Sequence, residues 1–138
     1  CSSLIGIDLS PNMIEIAQKK SIYDQLICAD IMATQAQYSQ KVDLLLTADT
    51  VPYFGDLHSL FQLSLQYLKS DGYWILSIES DYSKPYDLMT SARFSHSPDY
   101  IIDLASQYGF SVFHSENVQL RTQQNQYITG MLFALQRN

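Results

Sequence analysis

LIGIDLSPNM, residues 4–13, joins an apolar run to an acid and then to the start of a helix. Leu4 to Ile7 reads as a strand of a parallel sheet, because such strands are covered on both faces and lose the alternation of a half-exposed strand. Ser10 offers its hydroxyl to the first orphan amides of a helix, and Pro11 suits the first turn, where a missing N–H costs nothing. Met13, Ile16, Ala17 and Lys20 then share one helical face, and Glu15 with Lys19 forms an i,i+4 pair in the favourable order. Asp8 stands between strand and helix. One reading is that its charge only complements the positive end of the helix. Ser10 is the better cap, so a carboxylate at this strand end is placed for something else.

The rest of the chain repeats the pattern. Leu26 to Ala29 is a second short strand, and it ends at Asp30; Met32 to Gln40 is polar and carries at most a weak helix. Val42 to Ala48 is the most strand-like run and again ends in an acid, Asp49. Leu57, Leu60, Phe61, Leu65 and Leu68 trace a helical stripe, after which Asp71-Gly72 turns the chain into a strand from Tyr73 to Ile78. Glu79 to His96 reads as a long loop, and loops of that length in a compact domain are commonly functional. Ser97-Pro98 repeats the capping chemistry of Ser10-Pro11, with Gly109 as the helix stop. Phe110 to His114 is a strand, Ser115 to Gln126 a polar turn region, and Tyr127 to Leu135 a last strand. The last two strands lack a helix between them, which makes them antiparallel neighbours.

Alternating strands and helices specify an α/β fold with a doubly wound, mostly parallel sheet and an antiparallel C-terminal strand pair. In such sheets ligands bind beyond the carboxyl ends of the strands. There an acid such as Asp8 accepts hydrogen bonds from both hydroxyls of a ribose, and Asp30, 22 residues on, meets the base.

Composition bounds the function. At 138 residues, with 46% hydrophobic and 12% aromatic residues, the chain reads as a single domain with a real core. Eight basic against fourteen acidic residues give a net charge of −6 with no basic run, so the electrostatic footprint of a nucleic-acid binder is absent. No apolar segment approaches the ~20 residues that span a bilayer. Cys1 and Cys28 fit no metal-ligand spacing, no metal site is expected, and a reduced, cytoplasmic setting is the simpler reading, with Cys28 a small buried hydrophobe.

GIDLSPNMIEIAQKK, YDQLICADI and VDLLLTADTVPYFGDLHSLF, followed by RFSHS and the closing ITGMLFALQR, resemble the class I S-adenosylmethionine-dependent methyltransferases. Their order and spacing are most similar to a bacterial branch often fused to tetratricopeptide repeats. The resemblance implies a Rossmann-like fold and S-adenosylmethionine as cofactor. It places the ribose on Asp8, the adenine beside Leu9, Met13, Asp30 and Ile31, and the methionine part and transferring methyl beside Thr47, Ala48 and Asp49. It implies Tyr53 and Arg93 on the substrate side, and Asp49 or His96 as a group that deprotonates the acceptor. Methyl transfer asks mainly for alignment and exclusion of water, and many such enzymes use no base. His96 also has an ordinary reading as a surface loop residue.

The chain departs from the family at its glycine-rich motif. The five glycines, at 6, 55, 72, 109 and 130, form no GxG, and the first strand and helix of the family fold are expected to be missing ahead of Cys1. The resemblance then implies an N-terminally truncated, cofactor-poor domain with unpaired edges at Leu4–Ile7 and Val42–Ala48, suited to homodimer formation. Three functions are open at this point. Methyl transfer to a small-molecule acceptor leads, a degenerate nonenzymatic assembly module comes second, and a nicotinamide-dependent oxidoreductase is a distant third.

Overall fold

A computed structural model describes residues 2–34, 38–123 and 126–138, and the chain divides into two compact units, Cys1–Tyr38 and Ser39–Asn138.

In the first unit, strand β1 (Ile5–Asp8) leads into helix α1 (Pro11–Lys19) and then into β2 (Gln25–Cys28). β1 and β2 pair in parallel, from Ile5 opposite Gln25 to Asp8 opposite Cys28. Ser10 caps α1 as its sequence predicts, its Oγ accepting from the Met13 amide at 3.4 Å with Pro11 in the first turn. The packed stripe differs from the expected one. Ile14 is buried and Ala17 half-buried, whereas Met13 and Ile16 are 51% and 49% exposed. The helix thus packs on Ile14 and Ala17, about one residue round from the face read in the sequence, over a sheet two strands wide among the described residues. The weak helix expected over Met32 to Gln40 is reduced to one 3-10 turn, Ile31–Ala33, capped by Asp30; residues 35–37 lie outside the described residues. Cys28, expected in the core, is exposed.

The second unit is built on one mixed sheet. β3 (Val42–Thr47) and α2 (His58–Tyr67) precede β4 (Leu68–Ser80), its longest parallel element. β3 pairs in parallel with β4, and a short strand β6 (Phe94–His96) continues the same edge at Glu79 and Ser80. β5 (Tyr86–Leu88) pairs antiparallel with β6. After α3 (Pro98–Gln107), β7 (Phe110–Gln123) and β8 (Gln126–Arg137) form an antiparallel pair, with β8 against the other edge of β4. Alternation of strand and helix and the antiparallel final pair therefore hold.

Three local expectations do not. The chain passes directly from α2 into β4 at Leu68, and Asp71 lies in the left-handed region (φ 62°) inside a bulge rather than in a turn before the strand. The segment from Glu79 to His96 is not an open loop, since it contributes β5 and β6. The polar stretch from Ser115 onward is strand: among its described side chains only Val118, Leu120 and Arg121 are half-buried and the rest are exposed, so the apolar alternation of a strand is weak in it.

The core of this unit lies between the sheet and its two helices. Leu60, Phe61, Leu63 and Tyr67 of α2 and Ile101, Leu104 and Ala105 of α3 are buried together with Trp74, Leu76 and Ile78 of β4. Phe61 meets the Trp74 ring edge-on at 4.8 Å. Among the described residues no helix is long and apolar enough to cross a membrane.

Candidate functional site

Asp8 is the last residue of β1, and its Oδ1 accepts from the Ser10 amide at 2.7 Å. Asp30 follows β2 by two residues, and its Oδ1 accepts from the Met32 amide at 2.9 Å. Because β1 and β2 run parallel, both carboxylates emerge at the same end of the first unit's sheet, where parallel sheets receive ligands. Both acids are exposed, and so are Leu9 (72%) and Met13 beside Asp8; Ile31 is half-buried. Exposed apolar side chains around two strand-end acids match what a nucleoside offers, an apolar face with hydroxyls and amino groups at its rim. A hollow of about 140 Å³ adjoins Asp8 and Met13, lined also by Gly6, Tyr23 and Leu26 among others.

The second unit has its own cleft, of about 310 Å³, lined by Ala48, Asp49, Ser77, Leu120 and Arg121. Ala48 and Asp49 follow β3 directly and are exposed. Asp49 takes the left-handed backbone (φ 56°), which Asp tolerates better than most residues, and its amide faces the Ser77 hydroxyl at 3.4 Å. Thr47 is turned the other way: it is buried, and its Oγ1 accepts from the Trp74 indole at 2.9 Å.

Arg93 gathers the polar residues of this end of the sheet. Its Nε donates to Glu79 Oε1 at 2.7 Å, its Nη1 to the Tyr53 hydroxyl at 3.1 Å, and its Nη2 to Asp49 Oδ1. The guanidinium also lies 4.9 Å from the centre of the Tyr53 ring. Arg121, from β7, forms an ion pair with the same Glu79 oxygen at 2.8 Å and stands 3.8 Å from Asp49 Oδ1. Burial works against the charge on Arg93, but hydrogen bonds to Glu79 and Asp49 and their negative charges raise its pKa above the ordinary value. Glu79 is a nearly buried carboxylate clamped by two guanidiniums, and this pairing offsets the cost of burying its charge.

The sequence reading named Asp49, Tyr53 and Arg93, and these three meet. It missed Glu79 and Arg121. Glu79 carried a usable signal, an acid at the end of the apolar run Tyr73 to Ile78; Arg121 carried none, since it lies 42 residues further on in a polar stretch.

His96 is not among the residues lining the cleft. It is fully buried on β6, its ring stacked 6.4 Å from that of Tyr100. Its Nε2–H donates to the Gly55 carbonyl at 3.0 Å, and its Nδ1 is buried without a partner among the described residues. A histidine so enclosed has no path to an acceptor's proton, so the geometry speaks against the base suggested for it. Burial lowers its pKa from 6.5, against the smaller opposing effects of Gly55, Phe54 and Glu79. The unfolded chain therefore binds the extra proton more readily. This group's contribution to stability is complete above pH ~6.5 and is lost as pH falls from there through the lowered native pKa. Urea unfolding at pH 7.5 and 5.5 should show a larger loss in the wild type than in His96→Gln; equal losses would show that His96 does not sense pH in this range.

Comparison with known proteins gives a consistent picture. A family described as a methyltransferase domain matches residues 1–76. Malonyl-[acyl-carrier protein] O-methyltransferase of Priestia megaterium is 34% identical over 78 residues, 55% of this chain and 28% of that protein. Its counterpart in Acetivibrio thermocellus is 33% identical over 69 residues, 50% of this chain and 24% of that protein. The matched region thus spans about a quarter of the length of these relatives. Among solved structures, a SAM-dependent methyltransferase of Methanosarcina mazei superposes with a TM-score of 0.76 at 13% identity, over 98% of this chain and 82% of the other. The N-methyltransferase NodS of Bradyrhizobium japonicum, solved with S-adenosyl-L-homocysteine, gives 0.68 at 18% identity, over 99% and 67%. At these identities the solved structures establish the fold.

Proposed function

Because this chain belongs to the methyltransferase domain family, we propose that it takes part in S-adenosylmethionine-dependent methyl transfer to a small-molecule acceptor. The observation that carries this reading is the pair of exposed acids, Asp8 and Asp30, at the carboxyl ends of two adjacent parallel strands.

The residues present fit the nucleoside half of the cofactor. Each acid uses its Oδ1 for a local amide, which fixes the carboxylate against its own turn. Asp8 would hold the ribose hydroxyls and Asp30 the adenine amino group, with Leu9, Met13 and Ile31 offering apolar contact to the ring. The methionine half is fitted less fully. The Thr47 hydroxyl is committed to Trp74, and the five glycines form no GxG to approach a carboxylate closely. S-adenosylmethionine, when bound, supplies a methyl already activated on a sulfonium. The protein's task is then to orient the acceptor and exclude water, and Tyr53 and Arg93 are the residues proposed for the acceptor side.

Isothermal titration with S-adenosylhomocysteine tests this. Asp8→Ala should weaken binding by roughly ten-fold or more, the loss expected for a charge-assisted hydrogen bond. The same affinity in both proteins, with unchanged circular dichroism, would rule out Asp8 as the ribose ligand.

A further inference from the structure

Two guanidiniums converge on one exposed carboxylate beside the second unit's cleft. Arg93 Nη2 donates to Asp49 Oδ1, and Arg121 Nη1 stands 3.8 Å from the same oxygen. The two acids that hold these arginines differ sharply in exposure: the Glu79 side chain is 10% exposed and that of Asp49 69%. Glu79 is therefore the permanent partner, fixed between the arginines from below. Asp49 covers them from the solvent side, at the mouth of a cleft whose other walls include the apolar Ala48 and Leu120. Exposed ion pairs are weak, so an incoming carboxylate exchanges with Asp49 at little cost, whereas a buried one does not exchange.

We propose that Arg93 and Arg121 form the seat for a carboxylate of the acceptor, and that Asp49 fills this seat until the acceptor arrives. The proposal rests on the methyl-transfer reading for the word acceptor, but the anion seat itself stands on geometry alone. A guanidinium presents five N–H donors in a planar fork that matches a carboxylate, and two guanidiniums locked by one buried acid keep that fork in place before binding. A cation would meet two like charges here, and the acid that solvent reaches most readily, Asp49, is already held by them. The ligand class is a small organic carboxylate whose short carbon chain lies on Ala48 and Leu120. Asp49 then acts as an internal competitor, and removing its charge should improve binding rather than damage it.

The test uses succinate, with dimethyl succinate and 1,4-diaminobutane as uncharged and cationic analogues of the same length. Asp49→Asn keeps a residue suited to the left-handed backbone and removes the charge. Asp71→Asn makes the same change at another exposed left-handed position, eight residues before Glu79 on β4. Titration should show succinate binding several-fold tighter to Asp49→Asn, unchanged for Asp71→Asn, and weaker by about ten-fold or more for Arg121→Gln, with neither analogue binding. The proposal is overturned if Asp49→Asn binds no better than wild type, if Asp71→Asn tightens binding equally, or if the diester or the diamine binds as well as succinate. Parallel titration with S-adenosylhomocysteine separates the two ideas. Succinate behaving as expected without cofactor binding would keep the seat and remove the methyltransferase reading. Cofactor binding without succinate would remove the seat alone.

Discussion

Trp74→Ala should destabilise the second unit by about 3–5 kcal/mol, the range for removing a fully buried large aromatic side chain. Trp74 has no exposed surface and is held on three sides: edge-on by Phe61 at 4.8 Å, by Phe110 at 6.0 Å, and through its indole N–H by Thr47 at 2.9 Å. Truncation leaves a cavity whose walls belong to β4, α2 and β7. The strand can move little to fill it, because Trp74 is paired with Leu45 on one side and Leu135 on the other. It also leaves the buried Thr47 hydroxyl without its donor, an added cost of about 1 kcal/mol. Domains of this size are stable by only about 5–15 kcal/mol, so a substantial part of the total is at stake. Urea unfolding followed by far-UV circular dichroism is the right measurement, since Trp74 is the only tryptophan and fluorescence would vanish with it. A loss below about 1 kcal/mol would mean that the pocket around the ring collapses freely and that the core is not organised around it.

How far this architecture was legible in the sequence depends on which physical signal each element carries. The β1–α1 unit was readable because its cues are local. Ser10 and Pro11 can do little except start a helix, and an apolar run closing on Asp8 is short enough to be a strand. The face of α1 was not readable, because rotation about a helix axis is set by what lies beneath it. With two strands below, Ile14 alone is fully covered. β5 and β6 were missed because three-residue strands carry no periodicity; their pairing with each other and with β4 defines them. The outer part of β7 was missed for the opposite reason. It is long, but from Ser115 to Thr122 only Val118, Leu120 and Arg121 are half-buried, so the period-two signal that burial imposes on a strand is weak.

The same logic applies to the candidate site residues of each unit. Asp8, Asp30 and Asp49 were visible as acids at strand ends, a position encoded by a few consecutive residues. The clamp of Arg93 and Arg121 on Glu79 joins β4, β7 and the residue just before β6, and only the sheet order brings them together. The opposite outcome for His96 follows from the same segment. Read as part of a loop it was a candidate base, but as a residue of β6 paired with Ser80 it is carried into the interior. A residue's chemistry is legible in sequence, but its access to solvent is a property of the neighbours that fold onto it.

Those neighbours set the second large expected effect, at Gly130. This residue lies on β8 between Glu79 of β4 and Val118 of β7, at the centre of the antiparallel half of the sheet. A Cβ added there would fall on the Ile78 carbonyl oxygen and on the Leu120 side chain, deep inside van der Waals contact. Leu120 can turn aside, but the Ile78 carbonyl belongs to the backbone of a strand paired on both edges. Gly130→Ala should therefore cost about 3 kcal/mol, at the upper end for overpacking a rigid site, measured by urea unfolding. Gly109→Ala is the informative contrast. Gly109 sits at φ 74° with nothing within 4 Å of an added Cβ, so only left-handed backbone strain, about 1–2 kcal/mol, opposes that change. If the two substitutions cost the same, the close approach of β8 to β4 is not rigid. If Gly130→Ala costs clearly more, the clash extends to function as well, because the side chain that must turn aside, Leu120, forms part of the cleft wall beside Arg121. Succinate binding to Gly130→Ala should then be weakened even under conditions where the protein remains folded.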